Sequence, residues 1–248
     1  AVVLVVYICR KDRTDKEPPA LIAKLLGYGV LSCLPAIVVE LILSAIIERL
    51  NVRNVYLGYF LEAFVVAGLT EETCKFLFLR TTWRNPAFDY QFDAIVYAVM
   101  VALGFAAFEN VKYVYSYGFA TGIVRAVTAV PGHAIFGVFM GYFYGYAKLS
   151  DYWGRDDDRK AYLALSVVVP VLMHGCYDFL AFTQESDSRF TLLFYAYLVA
   201  LYVFGIRRVN RSSRDDRRVT RETVFDYFRR MQYPMPPQYR DRNDDFWR

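Results

Sequence analysis

The sequence predicts an all-α fold: a polytopic transmembrane helix bundle of about seven spans, the first one truncated, with a cytoplasmic polar tail. Hydrophobic residues make up 56% of the 248 positions, and charged residues crowd into short connections and the end of the chain. The apolar runs between these connections are mostly about 20 residues long, which is the length that crosses a bilayer as a helix. Lipid offers the backbone no hydrogen bonds, so such runs must be helices rather than strands.

Seven apolar runs follow one another along the chain. We expect the short first run, residues 1–9, to be a span whose start is missing rather than an interfacial segment. The other runs cover residues 20–47, 55–83, 92–114, 119–147, 161–182 and 190–206. We therefore predict a transmembrane domain at residues 1–206 and a charged tail at residues 207–248. All four cysteines lie inside apolar runs without a CxxC pair, which argues against a disulfide framework.

The basic residues of the loops predict the orientation. Loops on the same side as the tail carry more lysine and arginine than the opposite loops, and the tail adds 12 arginines. Positive loops stay in the cytoplasm, so we expect a cytoplasmic C-terminus and an N-terminus outside.

The tail contains one amphipathic pattern. Val224, Tyr227, Phe228 and Met231 share a helical face. Flanking arginines would suit a helix on the anionic inner leaflet, while a packing helix or a disordered segment remains equally open. Acidic residues alternate with the basic ones, which argues against nucleic-acid binding.

Ionisable residues inside the apolar runs are the most informative feature. A charge at the bilayer centre costs about 3 kcal/mol on insertion scales, so each such residue needs a partner or a purpose. The third to sixth runs contain Glu71, Glu72, Lys75, Glu109, His133, His174 and Asp178. A lone buried histidine is usually structural, but here both histidines of the chain lie on separate runs beside carboxylates. This pattern favours a functional site.

Spacing along the helices indicates that these residues meet. Glu71 and Lys75 are one turn apart and can pair, which leaves Glu72 in need of another partner. His174 and Asp178 also share one face of a helix. Glu71, His133 and His174 each lie about 20 Å along their helices from the cytoplasmic ends, so we expect them in one layer.

Two further features of the apolar runs have simpler interpretations. We expect Glu40, in the second run, to be structural rather than part of the site. Pro131 and Gly132 precede His133 and could kink the helix and widen a cavity, although a simple packing kink is the default.

Two kinds of hydrolytic chemistry suit this set. A carboxylate with a histidine can deprotonate water and then protonate a leaving amine, while His174 with Asp178 could donate to an oxyanion. Glu109, His133 and His174 are also candidate ligands of a zinc ion with an open position for water, although no HExxH motif is present. A proton- or cation-coupled transporter and a non-catalytic scaffold are the alternatives, but we find no inverted repeat of broken helices.

The order of these motifs resembles the PrsW family of membrane peptidases. The similarity rests on Glu71-Glu72-x-x-Lys75, Phe105-x-x-x-Glu109-Asn110, His133 and His174-x-x-x-Asp178 on successive helices, and on Arg10-Lys-Asp-Arg followed by Glu17-Pro18 in the first loop. It covers about residues 1–206, which would then be a peptidase domain. Through this family the chain is also similar to the CAAX-processing and bacteriocin-processing membrane proteases.

The resemblance implies intramembrane proteolysis in a prokaryotic cell membrane, with a single-span membrane protein such as an anti-sigma factor as substrate. Glu71 or Glu72 would be the base, working with Glu109 and His133. His174 and Asp178 would stabilise the oxyanion or complete a metal site. The related CAAX enzymes have histidine at the position of Glu109 and often asparagine at that of Asp178. The extra negative charge here calls for a cation or for protons, so a zinc ion stays one of the alternatives for this site.

Overall fold

The structure is a computed structural model, and it describes residues 1–219. Its helices are α1 (Val2–Lys11), α2 (Pro19–Arg49), α3 (Val55–Phe60), α4 (Thr70–Leu79), α5 (Asp93–Tyr117), α6 (Phe119–Val127), α7 (Ala129–Tyr152), α8 (Asp156–Ser186) and α9 (Arg189–Arg214). A π-helical segment, Leu61–Leu69, joins α3 to α4, and a short 3₁₀ turn, Arg80–Thr82, follows α4. The predicted all-α membrane bundle is confirmed.

Within residues 1–219, five helical stretches are long and apolar enough to cross a membrane, with α6 and α7 taken together as one of them. The third predicted run is also helical throughout, because α3, the π segment and α4 follow one another without a break. The amphipathic pattern at Val224–Met231 lies outside the described residues. The predicted boundary after residue 206 falls within α9, which continues to Arg214.

α5 lies at the centre of the bundle, and its apolar stretch is the most buried of the candidate membrane spans among residues 1–219. α7 packs along it through glycines: a Cβ atom at Gly141 would collide with the backbone of Ala94 and Ile95. α2 approaches α5 from another side, where Gly29 meets Gly104 in the same manner. Small residues allow transmembrane helices to come this close. These contacts hold the α7 residue His133 beside the α5 residue Glu109.

The predicted fifth run is divided into two helices. The chain turns at Thr128, so that α6 is a short, strongly amphipathic helix and α7 begins at Ala129. Pro131 therefore lies in the first turn of α7, where its missing N–H costs little. The chain changes direction at Thr128, before Pro131, and not inside α7. The break allows α6 to lie beside the C-terminal end of α5, with Arg125 directed at the bundle.

The segment that follows α9 folds back onto the connection before α5. Gln91 donates its backbone N–H to the carbonyl of Arg217, and Val219 donates to the carbonyl of Asp89, both at 2.8 Å. An isolated antiparallel bridge pairs Tyr90 with Arg218. The start of the predicted tail is thus fixed to the same end of the bundle as the N-terminus of α5.

Candidate active site

The π-helical segment positions the first acidic pair. Nine residues of π-helix precede α4, and Glu71 and Glu72 then fall in the first turn of α4. π-helical geometry is rare and often accompanies functional sites, because the wider turn changes the direction in which the following side chains point. Gly68 in this segment packs against the backbone of α8 at Val171 and Gly175, which brings Glu72 next to His174.

Lys75 is the centre of the site. Its ammonium nitrogen lies 3.0 Å from Glu71 Oε2, 2.8 Å from Glu72 Oε1 and 3.2 Å from His133 Nδ1. The ammonium also lies 3.9 Å from the ring centroid of Phe105. Lys75 is only 1% exposed, so these contacts replace its whole hydration shell. The expected pairing with Glu71 is present, and Glu72 shares the same cation.

His174 connects the acidic pair to α8. Its Nδ1 lies 2.9 Å from Glu72 Oε1, and its Nε2 lies 3.1 Å from Asp178 Oδ2, as the one-turn spacing predicts. Each contact needs a proton, so the ring is imidazolium or one of the two carboxyl groups carries the proton. Phe136 stacks on the His174 ring with centroids 5.0 Å apart, which fixes the orientation of the imidazole.

His133 has a defined tautomer. Because Lys75 can only donate, the Nδ1 of His133 accepts from it, and the ring proton is on Nε2. That nitrogen donates to Glu109 Oε2 at 2.9 Å. The two histidine rings meet edge to face, with centroids 5.1 Å apart, so the predicted convergence of His133 and His174 is observed.

Arg125 is a member of the site that the sequence did not reveal. Its guanidinium lies 2.7 Å from Glu109 Oε2 and 3.7 Å above the ring of Tyr113. The residue comes from α6, and only the break at Thr128 turns it towards α5. The sequence did contain one indication of this role. Arg125 lies in an apolar run that follows the run of Glu109, and an arginine and a carboxylate inside the membrane are expected to form an ion pair. Lys75 and Arg125 together provide the cations that the extra carboxylates call for.

The clustered residues open onto a cavity of about 290 Å³, which we call the membrane cavity. Of the predicted site residues, Glu71, Glu109, His133, His174 and Asp178 line it. Glu72 does not line it and is fully buried behind Lys75 and His174. Glu40 also lines the cavity, and the structural role that we expect for it stays a prediction.

A metal ion could be held by a set of residues that differs from the predicted one. Oxygens of Glu71 and Glu72 and ring nitrogens of His133 and His174 all lie within 4.8 Å of one another, and all four residues are buried. Glu109, a predicted ligand, is not in this group because it is bound to Arg125 and to the far nitrogen of His133. The donor types fit zinc. However, the Lys75 ammonium contacts three of the four donors and already supplies a cation among them.

Fold and site together define a helical integral membrane protein with a buried carboxylate–histidine site facing a cavity. Residues 17–206 match the model of the PrsW family intramembrane metalloprotease, and the chain belongs to this family. It is therefore an intramembrane protease whose substrates are proteins in a lipid environment.

Curated relatives agree with this assignment. The chain is 34% identical to Protease PrsW of Bacillus subtilis (strain 168) over 85% of its own length and 91% of the relative. It is 35% identical to Protease PrsW of Oceanobacillus iheyensis over 86% of its length and 92% of the relative. It is 29% identical to Protease PrsW of Clostridioides difficile (strain 630) over 86% and 88% of the two chains. No solved structure matches the chain.

Proposed function

We propose that the protein hydrolyses a peptide bond of a membrane-anchored protein with a water molecule activated by Glu71. The observation that carries this proposal is the convergence of Glu71, Glu109, His133, His174 and Asp178 on one cavity within the bundle. Carboxylates and histidines within reach of the same space can both remove and return a proton, as amide hydrolysis requires. Membership in a protease family favours this activity over transport or a scaffold role.

Glu71 is the better candidate for the base because it is the member of the acidic pair that lines the membrane cavity. It would take a proton from water and later return that proton to the leaving amine. Glu72 would act as a positioning residue that holds Lys75 and His174 in place. Both ring nitrogens of His174 are occupied by Glu72 and Asp178. Arg125 binds Glu109 through one terminal nitrogen, and its Nε–H has no hydrogen-bond partner among the described residues. Arg125 would therefore stabilise an oxyanion at the cavity wall.

A metal would require a rearrangement of the same residues. Zinc would be held by Glu71, Glu72, His133 and His174, and it would supply Lewis-acid activation of the water. Lys75 would have to withdraw from three of these four residues, because its ammonium contacts them. Activation of water by the carboxylate alone needs no such movement, and we favour it for this reason.

The depth of the site supports a proposal for the substrate, and the basic loops support one for the orientation. A scissile bond must reach Glu71 at membrane depth, so we propose a single-span membrane protein, of the anti-sigma-factor kind that the family resemblance implies. The basic loops and the arginine-rich end of α9 support a cytoplasmic C-terminus and an N-terminus outside. The bacterial relatives support a prokaryotic cell membrane as the location.

The test is cleavage of a fluorogenic single-span peptide by purified full-length protein in liposomes. Glu71→Gln keeps the shape of the side chain and removes its basicity, and we expect activity to fall by about 10²–10⁴-fold. Glu62→Gln is the matched control: Glu62 lines the same cavity but contacts Ser44 at 3.4 Å rather than Lys75. Equal activity of Glu71→Gln and wild type would overturn the proposal, provided that both proteins keep their helical content.

A further inference from the structure

A second cavity lies at the other end of the bundle from α6, where α5 begins and α9 ends. It has a volume of about 210 Å³ and shares no lining residue with the membrane cavity. The charged and tyrosine side chains in its wall are Tyr142, Tyr146, Arg208, Arg211, Asp215 and Arg217. We call it the headgroup pocket.

Positive charge dominates the headgroup pocket, with three arginines against one aspartate. Arg211 lies 3.5 Å from Asp215, and both side chains are exposed to solvent, so this pair is weak. Arg208 is held over the ring of Tyr142, with its guanidinium carbon 4.0 Å from the ring centroid. Within residues 1–219, no carboxylate lies within ion-pair distance of Arg208 or Arg217. Two guanidinium groups therefore remain available to an anionic ligand.

The pocket lies where the apolar surface of α9 ends. Phe204, Arg208, Arg211 and Asp215 follow one another on one face of α9, at successive turns. Phe204 is 60% exposed one turn below Arg208, so apolar surface continues directly into the charged pocket. The tyrosines beside Arg208 are residues that favour the membrane–water interface. This sequence of surfaces matches a phospholipid, with acyl chains below and a phosphate above.

We propose that the headgroup pocket binds the phosphate of a membrane phospholipid whose headgroup carries a net negative charge. Guanidinium groups present paired N–H donors that match phosphate oxygens, and basic pockets between transmembrane helices at the membrane surface are suited to anionic headgroups. The pocket joins the start of α5, the second half of α7 and the end of α9. A bound lipid would therefore link three helices, independently of whether the protein cleaves peptides.

Native mass spectrometry of the detergent-purified full-length protein, titrated with phosphatidylglycerol, phosphatidylcholine or inorganic phosphate, tests this proposal. We expect phosphatidylglycerol to bind at least about tenfold more tightly than phosphatidylcholine. Replacing Arg208 and Arg211 together by glutamine should weaken phosphatidylglycerol binding by at least about tenfold, because two charge-assisted contacts are lost. Arg214→Gln is the control for the loss of a positive charge near the pocket, since it removes one arginine from the last turn of α9 outside the pocket.

Each outcome has a defined meaning. If inorganic phosphate displaces phosphatidylglycerol, the pocket is a phosphate site and free phosphate is the source of its ligand. If inorganic phosphate fails to compete, the source is the lipid. If the double variant fails to fold, Arg217→Gln tests the same pocket, because Arg217 lines it from the segment after α9. This variant should also weaken phosphatidylglycerol binding. Equal binding of the two lipids, or equal losses in the pocket variants and Arg214→Gln, would overturn the proposal.

Discussion

Two groups of buried carboxylates in this protein are stabilised in opposite ways. At the site, Glu71 and Glu72 share the ammonium of Lys75, so the partners are charged side chains. At the end of the bundle where α5 begins, Asp12, Glu17, Asp93 and Asp216 form a second group, which we call the edge group. Backbone amides and hydroxyl groups are its main hydrogen-bonding partners.

The contacts of the edge group explain what it does. Asp93 accepts from the backbone N–H groups of Asp89 and Tyr90, at 3.1 and 2.7 Å. Asp216 accepts from the backbone of Phe92 at 2.9 Å, and Tyr97 donates its hydroxyl to Glu17 at 2.8 Å. Asp93, Asp216 and Glu17 thus fasten connecting segments to α5 or to the turn before it. None of the four lines the membrane cavity.

The difference between the two groups indicates which buried charges serve chemistry and which serve structure. In the edge group, one oxygen of Asp93 and one of Glu17 bind backbone amides or a hydroxyl group and fix the chain, and the other oxygen of each is buried without a hydrogen-bond partner in the described part of the chain. At the site, Glu71 shares a buried ammonium with Glu72 and lies beside a cavity, where it can exchange protons with a bound molecule. We therefore expect changes at the site to remove activity, and changes in the edge group to reduce stability alone.

The largest effect is expected from Lys75→Met. The variant leaves Glu71 and Glu72 buried without their shared cation, and breaking such a pair typically costs about 3–5 kcal/mol of stability. Activity should be lost as well, because His133 also loses its contact with the ammonium. Cleavage assays and thermal unfolding in detergent measure both effects, with Lys112→Met as control for the loss of a lysine from α5. Wild-type activity in Lys75→Met would show that the chemistry of the site does not depend on Lys75.

A smaller effect on activity is expected from Arg125→Gln. Glu109 would keep its bond to His133 and lose its guanidinium partner, so we expect activity to fall by roughly tenfold or more, in line with the loss of one charge-assisted hydrogen bond. Stability should fall less than in Lys75→Met, because Glu109 keeps its bond to His133 when Arg125 is replaced. Arg125→Lys should recover part of the rate. An unfolding temperature that falls as far as that of Lys75→Met would assign Arg125 to structure instead.

Asp93→Ala separates stability from chemistry. It leaves two backbone N–H groups without their acceptor, and we expect a cost of about 1–3 kcal/mol. The cleavage rate per folded molecule should equal that of the wild type. A lowered rate with an unchanged unfolding temperature would contradict the division between the two groups.

The smallest effect concerns pH. Burial raises the pKa of Asp12, in the connection between α1 and α2, to about 6. An aspartate in an unfolded chain has a pKa of about 3.9, so the folded protein holds this proton more tightly. The resulting stabilisation is fully present below about pH 4 and is lost as the pH rises through 6. We expect the unfolding temperature to fall slightly between pH 5 and 7.5, and Asp12→Asn to reduce that fall. Asp157→Asn, at an exposed position in the first turn of α8, should leave it unchanged.

The fold and most of the site follow from the sequence, because a charge in an apolar run is conspicuous. Glu71, Glu72, His133 and His174 were identified in this way, and the structure brings them together. Arg125 was missed because hydropathy does not reveal the turn at Thr128 that separates α6 from α7. The position of Glu40 and the return of residues 215–219 to α5 depend on packing between distant segments, which periodicity along the chain does not encode.

The most direct test of the account is peptide cleavage by the wild-type protein in liposomes before and after chelation, with zinc content measured on the same sample. Because Lys75 already supplies a cation among the four donors, the account predicts activity that persists after chelation and disappears in Glu71→Gln. About one zinc per chain, with activity that chelation abolishes and zinc restores, would contradict it and place a metal at Glu71, Glu72, His133 and His174.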